Sequence, residues 1–363
     1  VTTEVSREQV LWYRTRQQGL LRESEHPEVL ELGLQDSPAG VARLALAART
    51  TGEADLSGFD LAWTLRGAPY FHRPGELARL AAELWPWSEA DAQARLLWPR
   101  SRTSTGGLTP LATYRLLAES LRSIVVGPMT KGAASAALTK LVPPEQTRWC
   151  PGCKSQHVYE QPFRLAALPA GLGIEPGESP LTLVHAHNAK GVPEQSAGAE
   201  RLMRAYLRFL GPATPTEVAK WLDTSAAEVR SRWPEGLAEV RVDGRKCWLP
   251  SDRLDDLVSA QPPELVRLLP TSDPFLQARD RAVVLPHKEQ QKTLWTILGS
   301  PGAVLVDGEV LGVWRAKLGR KDRLDVTITQ FGELDPPARE AARAEAERVA
   351  GVRGVPSVSV SFS

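Results

Sequence analysis

Apolar and polar positions along the chain change period repeatedly, from helical spacing to two-residue alternation and back, with turn residues at the changes. Ser6-Arg7-Glu8-Gln9 is a capping box, a hydroxyl cap with an amide three residues on, and it opens a helix through Val10, Leu11, Tyr13 and Arg14 toward Gly19. A second helix is expected from Pro27. A third is expected from Ser37-Pro38, with Ser37 as cap and proline in the first turn, carrying Val41, Leu44 and Ala47 inward. Residues 61–65 and 70–72 then read as two short strands around Arg66-Gly67-Ala68-Pro69. Three helices and a small hairpin outline a winged helix.

The outline recurs. Residues 114–124 are helical, Gly127-Pro128 breaks the helix, and Thr130 caps another running to Leu141. A third helix covers 159–168, and a strand covers 181–184. A further copy lies at 200–250: a helix ended by Gly211-Pro212, a capping box at Thr214-Pro215-Thr216-Glu217, and another at Ser225-Ala226-Ala227-Glu228. Two strands then meet across Asp243-Gly244, a hairpin turn pair. After about residue 264 the pattern becomes β-rich. Strands at 304–306 and 310–314 flank Asp307-Gly308, 324–328 alternates, a helix is expected over 337–350, and 355–362 closes as a strand. The expected fold is mixed α+β: winged helices at 1–100, 101–195 and 196–262, then a β-barrel-like domain at 263–363.

Composition sharpens this only in part. Lys+Arg 44 against Asp+Glu 43 gives a net charge of +1, which argues against coating nucleic acid by bulk charge. Only 10 of those 44 are lysine, and the first is Lys131. The arginine excess has two readings, planar contacts to phosphate or carboxylate and the codon bias of a G+C-rich genome. No apolar run approaches the ~18 residues a membrane span needs, so no membrane partner is expected. Three cysteines, Cys150, Cys153 and Cys247, make no disulfide framework and point to a reducing cytoplasm. Cys150-Pro151-Gly152-Cys153 with His157 is half of a zinc site. No second Cys/His pair lies at the expected distance, so the expectation is a tight turn with small buried thiols, and neither metal nor cofactor.

Tandem winged helices make double-stranded DNA the leading partner. The basic residues with clear geometry, Arg315, Lys317, Arg320, Lys321 and Arg323, surround the turn of an expected hairpin and are candidate DNA contacts. Arg14, Arg16 and Arg49 are weaker ones.

The chain also resembles the winged-helix DNA glycosylases related to the azinomycin self-resistance enzyme. The resemblance is carried by Gly33-Leu34-Gln35-Asp36-Ser37-Pro38, Ala47-Ala48-Arg49-Thr50, Trp63-Thr64-Leu65-Arg66-Gly67 with His72, and Gly127-Pro128-Met129-Thr130-Lys131-Gly132. Phe163-Arg164-Leu165-Ala166-Ala167-Leu168, Asp273-Pro274-Phe275-Leu276, Arg279-Asp280-Arg281, residues 302–308 and Trp314-Arg315 complete it. It implies hydrolysis of the glycosidic bond of bulky N7- or N3-alkylated purines, as self-resistance to a DNA-alkylating natural product, by a monomer working at the bacterial nucleoid. The family's active-site motif is Gln, an apolar residue, then Gln or an acid. Here it reads Gln35-Asp36-Ser37. Gln35 matches, while Asp36 and Ser37 depart from the pattern. Gln35 with Ser37 would hold a water, and Asp36 would act as base or electrostatic partner if it turned inward. Asp36-Ser37-Pro38 is equally a good helix start. Arg66 and His72 are further candidate DNA contacts, His72 matching a histidine position of the family. With no lysine in residues 1–130, Schiff-base chemistry from that stretch is excluded, so water is the expected nucleophile and strand nicking is not expected. The rival is a non-enzymatic DNA-binding protein, regulator or architectural factor.

Overall fold

A computed structural model describes residues 3–96 and 107–363. The chain forms two compact units: Val1–Leu56, Arg204–Glu217 and Pro234–Ser363 make the first, Ser57–Met203 and Val218–Trp233 the second. The expected boundary at residues 100 and 101 lies outside the described residues. The stretch 196–262 is shared between the units, and the four-part division along the chain remains a proposal.

In the first unit, the helix Arg7–Gln17 begins with the reciprocal box expected of it. Ser6 Oγ accepts from the Gln9 amide and the Gln9 side chain accepts from the Ser6 amide. The segment from Pro27 is a short 3-10 helix, Glu28–Leu32. The following helix starts later than expected, at Val41 rather than Ser37, and runs to Ala47. Strands Leu237–Val242 and Arg245–Pro250 pair across Asp243 (φ 47°) and Gly244 (φ 80°), as the Asp-Gly signal requires. Thr3–Val5 adds in parallel, and Val240, Val242, Cys247 and Leu249 pack against Val10 and Tyr13.

The C-terminal part of this unit is a sheet in the order Val266–Leu269, Gly302–Val306, Glu309–Leu318, Arg323–Gln330, Ser357–Phe362. The first four strands are antiparallel neighbours and the last pair is parallel, so the chain must cross over. The crossover is the helix Pro336–Val352, which buries Ala342, Ala346 and Val349 against Leu324, Val326 and Ile328. Leu44 of the Val41–Ala47 helix joins this core. The sheet curls as half of a barrel with two edge strands, so the barrel expectation holds in this reduced form.

The second unit orders its strands Pro69–His72, Asp60–Trp63, Leu172–Ile174, Thr182–His185, Met129–Thr130. Its helices include Pro110–Ile124 and Lys131–Thr139, capped by Thr109 and Thr130, and Glu160–Ala167. A separate two-stranded hairpin joins Thr147–Cys150 to Ser155–Val158. The fold is thus mixed α and β. Among the described residues, no helix is long and apolar enough to cross a membrane.

Candidate active site

Gln35, Ser37 and Arg315, singled out in sequence, line one cleft of about 600 Å³ in the first unit, with Ser272, Trp314 and Arg353. Gly33, at φ 73°, ends the Glu28–Leu32 turn and starts the two-residue strand Leu34–Gln35. Leu34 is buried, so alternation leaves Gln35 half-buried on the opposite side.

Asp36 points elsewhere. Its Oδ1 accepts from the amides of Gly40 (2.8 Å) and Ala42 (3.0 Å), at the start of the Val41–Ala47 helix. It, and not Ser37, is the side chain that caps this helix, and it is absent from the cleft lining. Burial holds its carboxyl above the usual aspartate range, against the opposing pull of these amides. The carboxylate expected as base if it turned inward does not turn inward. Ser37 is exposed at the cleft, and its carbonyl accepts from Ser272 Oγ at 2.9 Å.

The loop that presents Ser272 is pinned from below. Asp273, fully buried, takes both terminal nitrogens of Arg49 at 2.6 and 2.7 Å. Arg49 also donates to Ala45 O and Gln18 Oε1. Arg348 donates to the carbonyls of Ala47 and Thr50 at 2.9 and 3.0 Å, tying off the end of the same helix. The opposite wall is as tightly set: Trp314 donates its indole N–H to Leu269 O at 2.8 Å. A Cβ at Gly302 would run into that indole and that carbonyl, so only glycine fits there.

The electrostatics of the cleft are one-sided. No acidic side chain is among the residues lining it. Arg353, just past the helix Pro336–Val352, pairs with no carboxylate among the described residues, and desolvation without an offsetting charge lowers its pKa. Arg315 likewise has no ion pair among them. It begins the basic hairpin expected from sequence, formed by Glu309–Leu318 and Arg323–Gln330. Lys317 and Arg320 are exposed on it, while Arg323 is exposed but bonded to Asp325 at 2.8 Å. The side chain of Lys321 lies outside the described residues. Arg353 was not foreseen, although its position at a helix end, with Val349 and Ala350 a turn before it, offers no local acid to pair with.

Other expected contacts are placed differently. Arg14 is fully buried and held by Asp280 at 2.6 and 3.0 Å, so neither it nor Arg49 can reach DNA. Arg16 is exposed. In the second unit, Arg66 has a left-handed backbone (φ 56°) in the turn between its strands, and its carbonyl accepts from Gln161 Nε2. Its residue is half-buried. His72 is 2% exposed, bonded through Nε2 to Thr64 Oγ1 at 3.1 Å, and burial beside Arg201 pushes its pKa down to about 3. It is a neutral structural histidine with no access to a phosphate. Cys150 is half-exposed and Cys153 exposed, contrary to the small buried thiols expected of that turn, while Cys247 is buried.

The model of the DNA glycosylase AlkZ-like family matches residues 32–352, which takes in every residue of the cleft lining except Arg353. The chain belongs to this family. A curated AlkZ-like relative, the interstrand DNA cross-link repair glycosylase of Streptomyces sahachiroi, is 30% identical over 179 residues. That stretch is 47% of this chain and 46% of the relative, so the match spans about half of either protein. The solved structure of Streptomyces sahachiroi DNA glycosylase AlkZ shares the fold, with a TM-score of 0.76 at 23% identity. It covers 99% of this chain and 100% of its own. The chain is therefore an AlkZ-like protein in both sequence and fold.

Proposed function

We propose that this AlkZ-like protein is a monofunctional DNA glycosylase for bulky N7- or N3-alkylpurine adducts, in the service of self-resistance to a DNA-alkylating product. The single observation that carries the reading is the meeting of Gln35 and Ser37 with Arg315 and Arg353 in a cleft without carboxylates. The relative's name, which specifies cross-link repair, supports a bulky lesion.

An N7-alkylated guanine is a cation, so the electron pair of the breaking C1′–N bond neutralises it and no general acid is needed. The sugar is left as an oxocarbenium ion. A water adds at C1′ and gives its proton to solvent. Gln35 accepts a hydrogen bond from that water through its amide oxygen, and the Ser37 hydroxyl holds it from a second side. Arg315 and Arg353 would destabilise a cationic sugar at close range. Their place in the reaction is therefore on the flanking phosphates, with Lys317 and Arg320 continuing that track. Asp36 is a positioning residue that fixes the turn bearing Gln35 and Ser37. The helix and hairpin stretches serve as winged helices against the duplex.

The absence of lysine from the cleft lining supports water as nucleophile. Lys317 is the neighbouring amine in sequence, so it is the control. Duplex DNA carrying an N7-alkylguanine should release the free modified base and leave a heat-labile abasic site, with no strand cleavage before heating. Gln35→Ala should abolish release with DNA affinity little changed, and Lys317→Ala should still release base. Binding without release by the wild-type chain would leave only a DNA-binding protein.

A further inference from the structure

The hairpin Thr147–Cys150/Ser155–Val158 takes no part in the cleft, and it carries a cluster of metal-binding groups. Its register sets Cys150 opposite Ser155 and Arg148 opposite His157. Facing residues of an antiparallel pair project to one side, and so do residues two apart, so Cys150, Ser155 and His157 share a face. Between the strands lies Pro151-Gly152-Cys153-Lys154, where Lys154 takes a left-handed backbone at φ 50° and lets the turn curl back. The result is that one ligand atom each from Cys150, Cys153 and His157 lies within 4.8 Å of the others.

We propose that Cys150, Cys153 and His157 bind one zinc ion, which staples the tip of this hairpin. Two thiolates and an imidazole form a borderline-soft donor set that suits zinc above magnesium or calcium. Around a tetrahedral zinc, with bonds of about 2.0–2.3 Å, such atoms stand roughly 3.3–3.8 Å apart. The present spacing thus closes on an ion with a movement of about an ångström. The Ser155 hydroxyl lies 3.0 Å from His157 Nε2 and orients the ring.

The tip also needs a staple. Arg148 and Gln156 are exposed, Trp149 is 61% exposed, and Cys153 is exposed, so little apolar burial holds these residues together. A bound ion supplies the missing cross-link, as it does in small metal-held domains. Among the described residues no fourth Cys, His, Asp or Glu joins the group, and the fourth position belongs to water. Binding releases the protons of both thiols, so affinity rises with pH.

The test uses the full chain, kept reduced and stripped of metal, with zinc or cobalt added. Zinc should bind at about one equivalent per chain. Cobalt should give the sulfur-to-metal charge-transfer absorption of a thiolate site. Zinc should also protect two otherwise reactive thiols, while buried Cys247 stays silent throughout. Cys153→Ser removes an exposed group and no packing, and should lose the cobalt signal. His157→Ala should weaken binding by about tenfold or more. Failure to take up either metal, a Cys150–Cys153 disulfide formed in preference, or equal uptake by the Cys150→Ser/Cys153→Ser variant would each overturn the assignment. None of these results depends on whether the protein releases bases.

Discussion

Replacing Asp36 by asparagine and by alanine separates positioning from proton transfer at the cleft. Its Oδ1 receives the amides of both Gly40 and Ala42. Alanine removes that acceptor, as loss of a helix cap does, and should cost about 1–2 kcal/mol of stability. Asparagine keeps an acceptor oxygen and loses only the charge at the helix start, worth about 0.3–1 kcal/mol. A general base, by contrast, contributes about 10²–10⁴-fold to rate, and an amide cannot replace it. The expected order is therefore wild type, then Asp36→Asn within about tenfold in base release, then Asp36→Ala with lower activity and a lower urea midpoint. The assay is single-turnover release from an N7-alkylguanine duplex, alongside urea unfolding and DNA binding. A loss of about a hundredfold or more in Asp36→Asn, with stability and affinity intact, would refute the positioning role and restore Asp36 as the base.

Removing Arg315, Lys317 or Arg320 should each lower the slope of log affinity against log salt by about one, as loss of a phosphate contact does. Arg323→Ala should change it less, because Asp325 already neutralises that guanidinium. Arg49→Ala leaves Asp273 buried and alone, and should destabilise the protein by about 3–5 kcal/mol in urea unfolding. The folded protein holds His72 neutral down to about pH 3. The unfolded chain protonates it below about 6.5, so stability is full above that pH and falls as pH drops toward the folded value. Urea unfolding at about pH 7 and about pH 5 should differ by up to about 2 kcal/mol from this group, and His72→Asn should remove that share.

The fold was legible where local chemistry decides it. Ser6, Thr130, Ser225 and the Asp243-Gly244 and Asp307-Gly308 turns announce elements through bonds made within a few residues. The Thr147–Val158 hairpin was read only as a turn because its strands are short, and Arg148 and Trp149 face solvent without an apolar alternation. The cleft was legible in Gln35 and Arg315, and Arg353 was missed because its partners in the lining come from distant sequence. Arg14 and Arg49 were misread for the same reason. An arginine looks alike in sequence whether it meets a phosphate or an aspartate more than two hundred residues away.

Those two buried pairs impose an order on folding. Arg14 waits for Asp280 and Arg49 for Asp273, 266 and 224 residues downstream. Both arginines stay unmatched until those aspartates are made, by which time every residue of the second unit, ending at Trp233, has been translated. The cleft draws its lining from residues 35 to 353, so it is complete only once Arg353 has left the exit tunnel. A chain stalled or clipped before that point keeps Gln35 but lacks the Arg353 wall of the cleft.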